Sequence, residues 1–190
     1  RTPNDSKPYI WKTAEFGTTS TNLSDNFPQT EITRTVREDT ERKGLLFVGT
    51  ETGVFVSFDD GGNWKPLNLN LPAVPVHDIK VKHEDLCIAT HGRSFWILDD
   101  ISPLRQWKES YRDEAAHLFK PRTHTRLGSN WWALYGGGVG GGQKNYFVQN
   151  GRMGHTFYEL GIVNGERKRR YLDAGGARPY GAVVNYWLGE

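Results

Sequence analysis

Two windows of the chain repeat each other forty residues apart. Leu46-Phe47-Val48-Gly49-Thr50 recurs as Leu86-Cys87-Ile88-Ala89-Thr90. Phe55-Val56-Ser57-Phe58-Asp59-Asp60 recurs as Phe95-Trp96-Ile97-Leu98-Asp99-Asp100, with no gap needed between the two matches. A weaker copy lies 44 residues upstream, where Tyr9-Ile10-Trp11-Lys12-Thr13 stands for Gly53-Val54-Phe55-Val56-Ser57. A unit of roughly 40–45 residues built from short strands cannot bury its apolar face alone. Neighbouring copies must stack to make a core. The period therefore restricts the chain to arrays of small antiparallel sheets, of which the β-propeller blade is the type.

Strands are read over 9–13 and 19–23, joined by a turn at Glu15–Thr18, then over the alternating run 31–37 and over 45–50, 53–58 and 64–69. The last four form one complete antiparallel unit. Pro72-Ala73-Val74-Pro75 is a stiff crossover, and a second unit starts with strands over 76–81, 86–91 and 94–98. After Asp100 the pattern breaks at Ile101-Ser102-Pro103, with no fourth strand. The outer strand of this unit is expected to come from elsewhere in a longer parent, so that here the edge of the 94–98 strand is open or covered by the C-terminal segment. Beyond Trp107 a short helical turn over Glu109 to His117 is expected, then a glycine-dominated loop at Gly136–Gly142. A hairpin turns at Asn164-Gly165 between Thr156–Val163 and Arg167–Leu172.

These readings give an all-β fold: a partial β-propeller of about two four-stranded blades, then an irregular segment and the start of a β-sandwich. The corresponding domains are 1–106, 107–177 and 178–190. The absence of an initiator methionine and the strand-like run over 182–188, with no partner expected behind it, suggest an internal piece of a longer protein.

Composition supports a packed core, with 36% hydrophobic residues and 13% aromatics. A formal charge of +2 with mixed signs gives no electrostatic footprint for nucleic acid. No apolar run approaches the roughly 18–20 residues of a membrane span. The lone Cys87 excludes an internal disulfide and reads as a small buried hydrophobe. The six histidines lack metalloprotease spacing, and no metal or cofactor is expected. Arg167-Lys168-Arg169-Arg170 reads as a solvated strand end, and the glycine run lacks the ending of a phosphate loop. Trp131, Trp132 and Tyr135 read as core, with sugar stacking as the alternative. Asn4 and Asn22 fit the N-glycosylation pattern.

Ser57-Phe58-Asp59-Asp60-Gly61-Gly62-Asn63-Trp64 fits S-x-D-x-G-x-T-W with Asn63 in the Thr slot. This resembles the Asp-box of sialidase-like propellers. A decayed copy holds Thr13, Glu15 and Gly17. The logic of Ser57, Asp59, Gly61, Asn63 and Trp64 is local. The carboxylate accepts hydrogen bonds from its own turn, glycine supplies a positive φ, and tryptophan packs on the strand pair. The motif staples a hairpin. A paired-carboxylate hydrolase or a calcium loop at Asp59 and Asp60 is disfavoured, because the turn already engages the acidic residues. Loops at the other strand ends are the expected ligand face, with Glu51, His91 and Arg93 as candidates. Arg93 suits a carboxylate or sugar hydroxyls and Glu51 suits acid–base work; the plainer reading of both is loop closure by an ion pair.

From Gly44 to Trp107 the chain resembles the last blades of large bacterial Asp-box (BNR-repeat) propeller proteins. These are glycosyl hydrolase or exo-sialidase-like and related to sortilin-type and xyloglucanase propellers. The segment from Asn164 resembles their passage into a β-sandwich. The resemblance implies an extracellular or periplasmic, carbohydrate-active protein with a carbohydrate or protein ligand. Neither the sialidase arginine triad nor the xyloglucanase aspartates can be matched here, so no catalytic residue is assigned. A non-catalytic, sortilin-like scaffold for protein or glycan is the alternative.

Overall fold

The computed structural model describes residues 6–124, 158–171 and 181–189. Among the described residues strand far outweighs helix, and the strands form several small antiparallel sheets, none of them closed, so the fold is all-β. The chain divides into two compact units, Arg1–Glu109 and Ser110–Glu190.

In the first unit, β1 (Trp11–Ala14) and β2 (Thr19–Asn22) form a hairpin. The next four strands make a meander, β3 (Thr33–Glu38), β4 (Leu46–Thr50), β5 (Val54–Ser57) and β6 (Lys65–Pro66). β4 and β5 are buried at every position because this sheet is covered on both faces. Phe47, Val54 and Val56 join Val76, Ile79, Leu86 and Ile88 in the larger core. Val48 and Phe55 turn the other way, onto Ile10 and Phe27. A short apolar run without alternation is the pattern such a strand requires. Each aliphatic side chain buried there contributes about 1.5–3 kcal/mol.

The second sheet, β7 (Val76–Lys82), β8 (Asp85–Thr90) and β9 (Phe95–Leu98), has three strands. It repeats the first in detail. β3 bulges between Thr33 and Thr35 against β4, and β7 bulges between Val76 and Asp78 against the same point of β8. Gly49 pairs with Thr35 just past the bulge, and Ala89 pairs with Asp78 at the same place one repeat on. β7 lies against β3 and β4. The approach is so close at Gly49 that a Cβ there would stand 2.6 Å from Val76 Cγ1 and 2.8 Å from Thr35 Cγ2.

Four expectations need correction. The repeat is not gapless: Leu46 pairs with Ser57, but Leu86 pairs with Leu98 rather than Ile97. The second loop is one residue longer, so Thr50 N–H reaches the Gly53 carbonyl while Thr90 N–H reaches that of Ser94. The strand expected over 64–69 shrinks to Lys65–Pro66: Leu67 N–H still reaches the Val54 carbonyl, but the Val54 N–H is taken by the Asn68 side chain rather than by the strand. The break at Ser102-Pro103 is an α-helix, α1 (Ser102–Gln106), with proline in its first turn. The helical turn expected over Glu109 to His117 is a 3-10 turn ending at Asp113, followed by a strand.

α1 is held by charge. Arg105 forks onto the buried Asp39 carboxylate, with Nη2 to Oδ1 at 2.9 Å and Nε to Oδ2 at 3.0 Å. The Glu41 and Arg42 amides donate to the same carboxylate. Burial pushes the Asp39 carboxyl up, but Arg105 and these amides outweigh it and hold the group below its ordinary value. Arg42 in turn donates through Nη1 to the Leu104 carbonyl at 2.6 Å, near the helix end.

In the second unit, β10 (Ala116–Leu118) pairs with β13 (Tyr186–Leu188). The run over 182–188 thus pairs, through Tyr186–Leu188, with a strand that precedes it. β11 (Tyr158–Val163) and β12 (Glu166–Tyr171) form the anticipated hairpin, with Asn164 and Gly165 both at positive φ. Gly136–Gly142, Trp131, Trp132 and Tyr135 lie outside the described residues.

Candidate functional site

The turn between β5 and β6 is built by Asp59. Its Oδ1 accepts the Ser57 hydroxyl and the Asn63 amide, each at 2.8 Å, and its Oδ2 accepts the Asn63 side-chain amide at 2.7 Å. The Ser57 oxygen in turn accepts from Gly61 N–H at 2.9 Å. Asn63 fills a threonine slot with an amide that reaches the same carboxylate. Gly61 sits at φ 90°, where an L side chain is strained. Burial raises the Asp59 carboxyl, but hydrogen bonds from Asn63 and Ser57 prevail and its pKa is lowered. Trp64 packs edge-on to Phe27 at 5.3 Å in the smaller core. Asp60 does not share this role: it pairs with Lys12 of β1.

The other two acidic turns are built differently. At Thr13, Glu15 and Gly17, the Thr18 amide and hydroxyl close on the Glu15 carbonyl oxygen, and the turn is exposed throughout. In the second sheet, register puts Leu98 in the place of Ser57 and Asp100 in that of Asp59. Asp100 Oδ1 accepts from Ser102 N–H at 3.2 Å at the start of α1.

Beside the Asp59 turn lies a cleft of about 410 Å³. Phe58, Trp64 and Trp107 supply its rings, and Asn63, Lys65 and Glu109 its polar groups. Phe58 and Trp107 stand 6.4 Å apart, and Arg42 lies over the outer Phe58 ring at 5.4 Å. Lys65 Nζ meets Glu109 Oε1 at 3.0 Å, and the Trp107 indole donates to Glu109 Oε2 at 3.2 Å. The sequence reading missed this cleft. The signal was an aromatic flanking each end of the turn, with the third ring arriving from beyond α1.

The loop ends carry the other candidates. Glu51 is ion-paired with Arg34, the bulge residue of β3. His91 occupies the equivalent loop position and stacks at 5.1 Å on His77, the bulge residue of β7. The same backbone contact recurs beneath each: Glu51 N–H to Ile32 O at 3.1 Å and His91 N–H to Pro75 O at 2.9 Å. Glu51 and His91 are thus repeats of one position. Arg93 lies in the longer loop, and its carbonyl accepts the Trp96 indole N–H at 3.0 Å. Among the described residues no group of three or more His, Cys, Asp or Glu could hold a metal ion, and no helix is long and apolar enough to cross a membrane. In comparisons with known proteins, no family model and no curated protein matches the chain.

Proposed function

We propose that the two sheets of the first unit are blades of an Asp-box β-propeller, and that the chain serves a carbohydrate-active protein acting outside the cytoplasm as a structural and ligand-binding part rather than a catalytic one. The observation that carries this reading is the repetition itself. Two consecutive meanders share strand order, the position of an inner-strand bulge and the loop contact beneath it. The acidic turn supports it by engaging Asp59 in three bonds of its own hairpin, which leaves it poorly suited to proton transfer. Glu51, tied to Arg34, is likewise held as a strut.

The test is a glycan array run beside a peptide panel, with hydrolysis of sialosides and β-glucans assayed in parallel. Glycan binding without turnover is the expected result. Turnover above a heat-killed control overturns the non-catalytic part, and binding to peptides alone replaces the carbohydrate reading with that of a protein-binding scaffold.

A further inference from the structure

The cleft beside the Asp59 turn is not needed to close that turn, and its lining points to a ligand. Its size lies within the ~300–1,000 Å³ of small-molecule sites. Its charges balance: Arg42 and Lys65 stand against Asp59 and Glu109, so the lining favours neither an anion nor a cation. Arg42 is directed to the Leu104 carbonyl and Asp59 to its own turn. At the mouth Lys65 and Glu109, 39% and 63% exposed, form an ion pair 3.0 Å apart whose carboxylate also accepts the Trp107 indole N–H. Adjacent hydroxyls, each able to give and accept a hydrogen bond, match such a pair. The indole face of Trp107 suits the C–H face of a sugar ring.

We propose that this cleft binds one neutral pyranose unit, stacked on Trp107 with its hydroxyls between Lys65 Nζ and the Glu109 carboxylate. The choice of a carbohydrate rests on the function proposed above; the site and the preference for a neutral sugar go beyond it. The whole chain is titrated with cellopentaose, chitopentaose and 3′-sialyllactose, followed by calorimetry and tryptophan fluorescence. A neutral oligosaccharide is expected to bind and quench, with sialyllactose at least about tenfold weaker, the equivalent of roughly 1.4 kcal/mol. Trp107→Ala should weaken binding about tenfold or more, while Trp107→Phe, which keeps a ring, stays within about threefold. Lys65→Ala and Glu109→Gln should each lose roughly three- to tenfold, and they provide the reading if Trp107→Ala does not fold. Binding of neutral sugar that survives Trp107→Ala but falls in Arg93→Ala overturns this site and leaves the proposed function standing. Sialyllactose binding as tightly as the neutral sugars overturns the charge argument. No binding to any neutral oligosaccharide overturns the site, and binding to peptides alone removes the carbohydrate reading with it.

Discussion

The two sheets of the first unit have one plan and different surroundings. In the first, Val54 and Val56 are 0% and 3% exposed, packed toward the second sheet. The second sheet's residues at the same register positions, Phe95 and Ile97, are 79% and 59% exposed. Strand order, bulge and loop contact are preserved while the surroundings change. Backbone pairing and the shared loop contact therefore carry the plan of the sheet, and burial on its second face is not needed to shape it. The sequence registers the difference weakly, because large apolar residues stand at the positions in both copies.

The largest effects should come from what joins the copies. Arg105→Ala leaves Asp39 buried and unpaired and should cost about 3–5 kcal/mol in urea unfolding. A loss under 1 kcal/mol would show that α1 does not anchor the second sheet to the β3–β4 loop. Core truncation divides the copies more sharply. Phe47→Ala should cost about 3–5 kcal/mol. Cys87→Ala, at the same register position in the second sheet, should stay within about 1 kcal/mol. A loss at Cys87→Ala well above 1 kcal/mol would mean that the second sheet's open face is covered in solution.

The acidic turn comes next. Asp59→Ala should destabilise by about 1–2 kcal/mol by unpairing the Asn63 amide and the Ser57 hydroxyl. Asp59 has a lowered pKa in the folded chain. Its stabilisation is therefore fully present above the unfolded value of about 3.9 and is lost as pH falls through the folded value. Acid titration of stability should be shallower in Asp59→Ala than in the parent; identical acid limbs would assign no linkage to this carboxylate. The smallest effect is at the edge. Amide exchange should be faster in β9, which among the described residues pairs on one side only, than in β5, which pairs on both. Equal protection would reveal a strand added to β9.

Much of this was legible in the residues. The unbroken apolar runs at 45–50 and 53–58 gave β4 and β5, and Asn164-Gly165 gave its hairpin. The spacing of Ser57, Asp59, Gly61 and Trp64 gave the turn, since those interactions are local. What escaped depends on contacts distant in sequence. The extra loop residue was hidden because an ungapped match aligned Asp60 with Asp100, whereas pairing aligns Asp59 with it. Pro103 was read as a strand breaker when it begins a helix, and that helix depends on Asp39, 66 residues away. The cleft needs Trp107 beside Phe58, a proximity no periodicity announces.

Gly49 has an implication for how such a chain can change over generations. Every single-base change that replaces glycine by another amino acid adds at least a Cβ, and here a Cβ would meet Val76 and Thr35 at less than van der Waals distance. The position has no near neighbour in codon space to drift through. A lineage could escape only by first trimming Val76 or Thr35. The spacing of the sheets is thus guarded by the genetic code as well as by packing, while Ala89, one repeat on, has already taken the step.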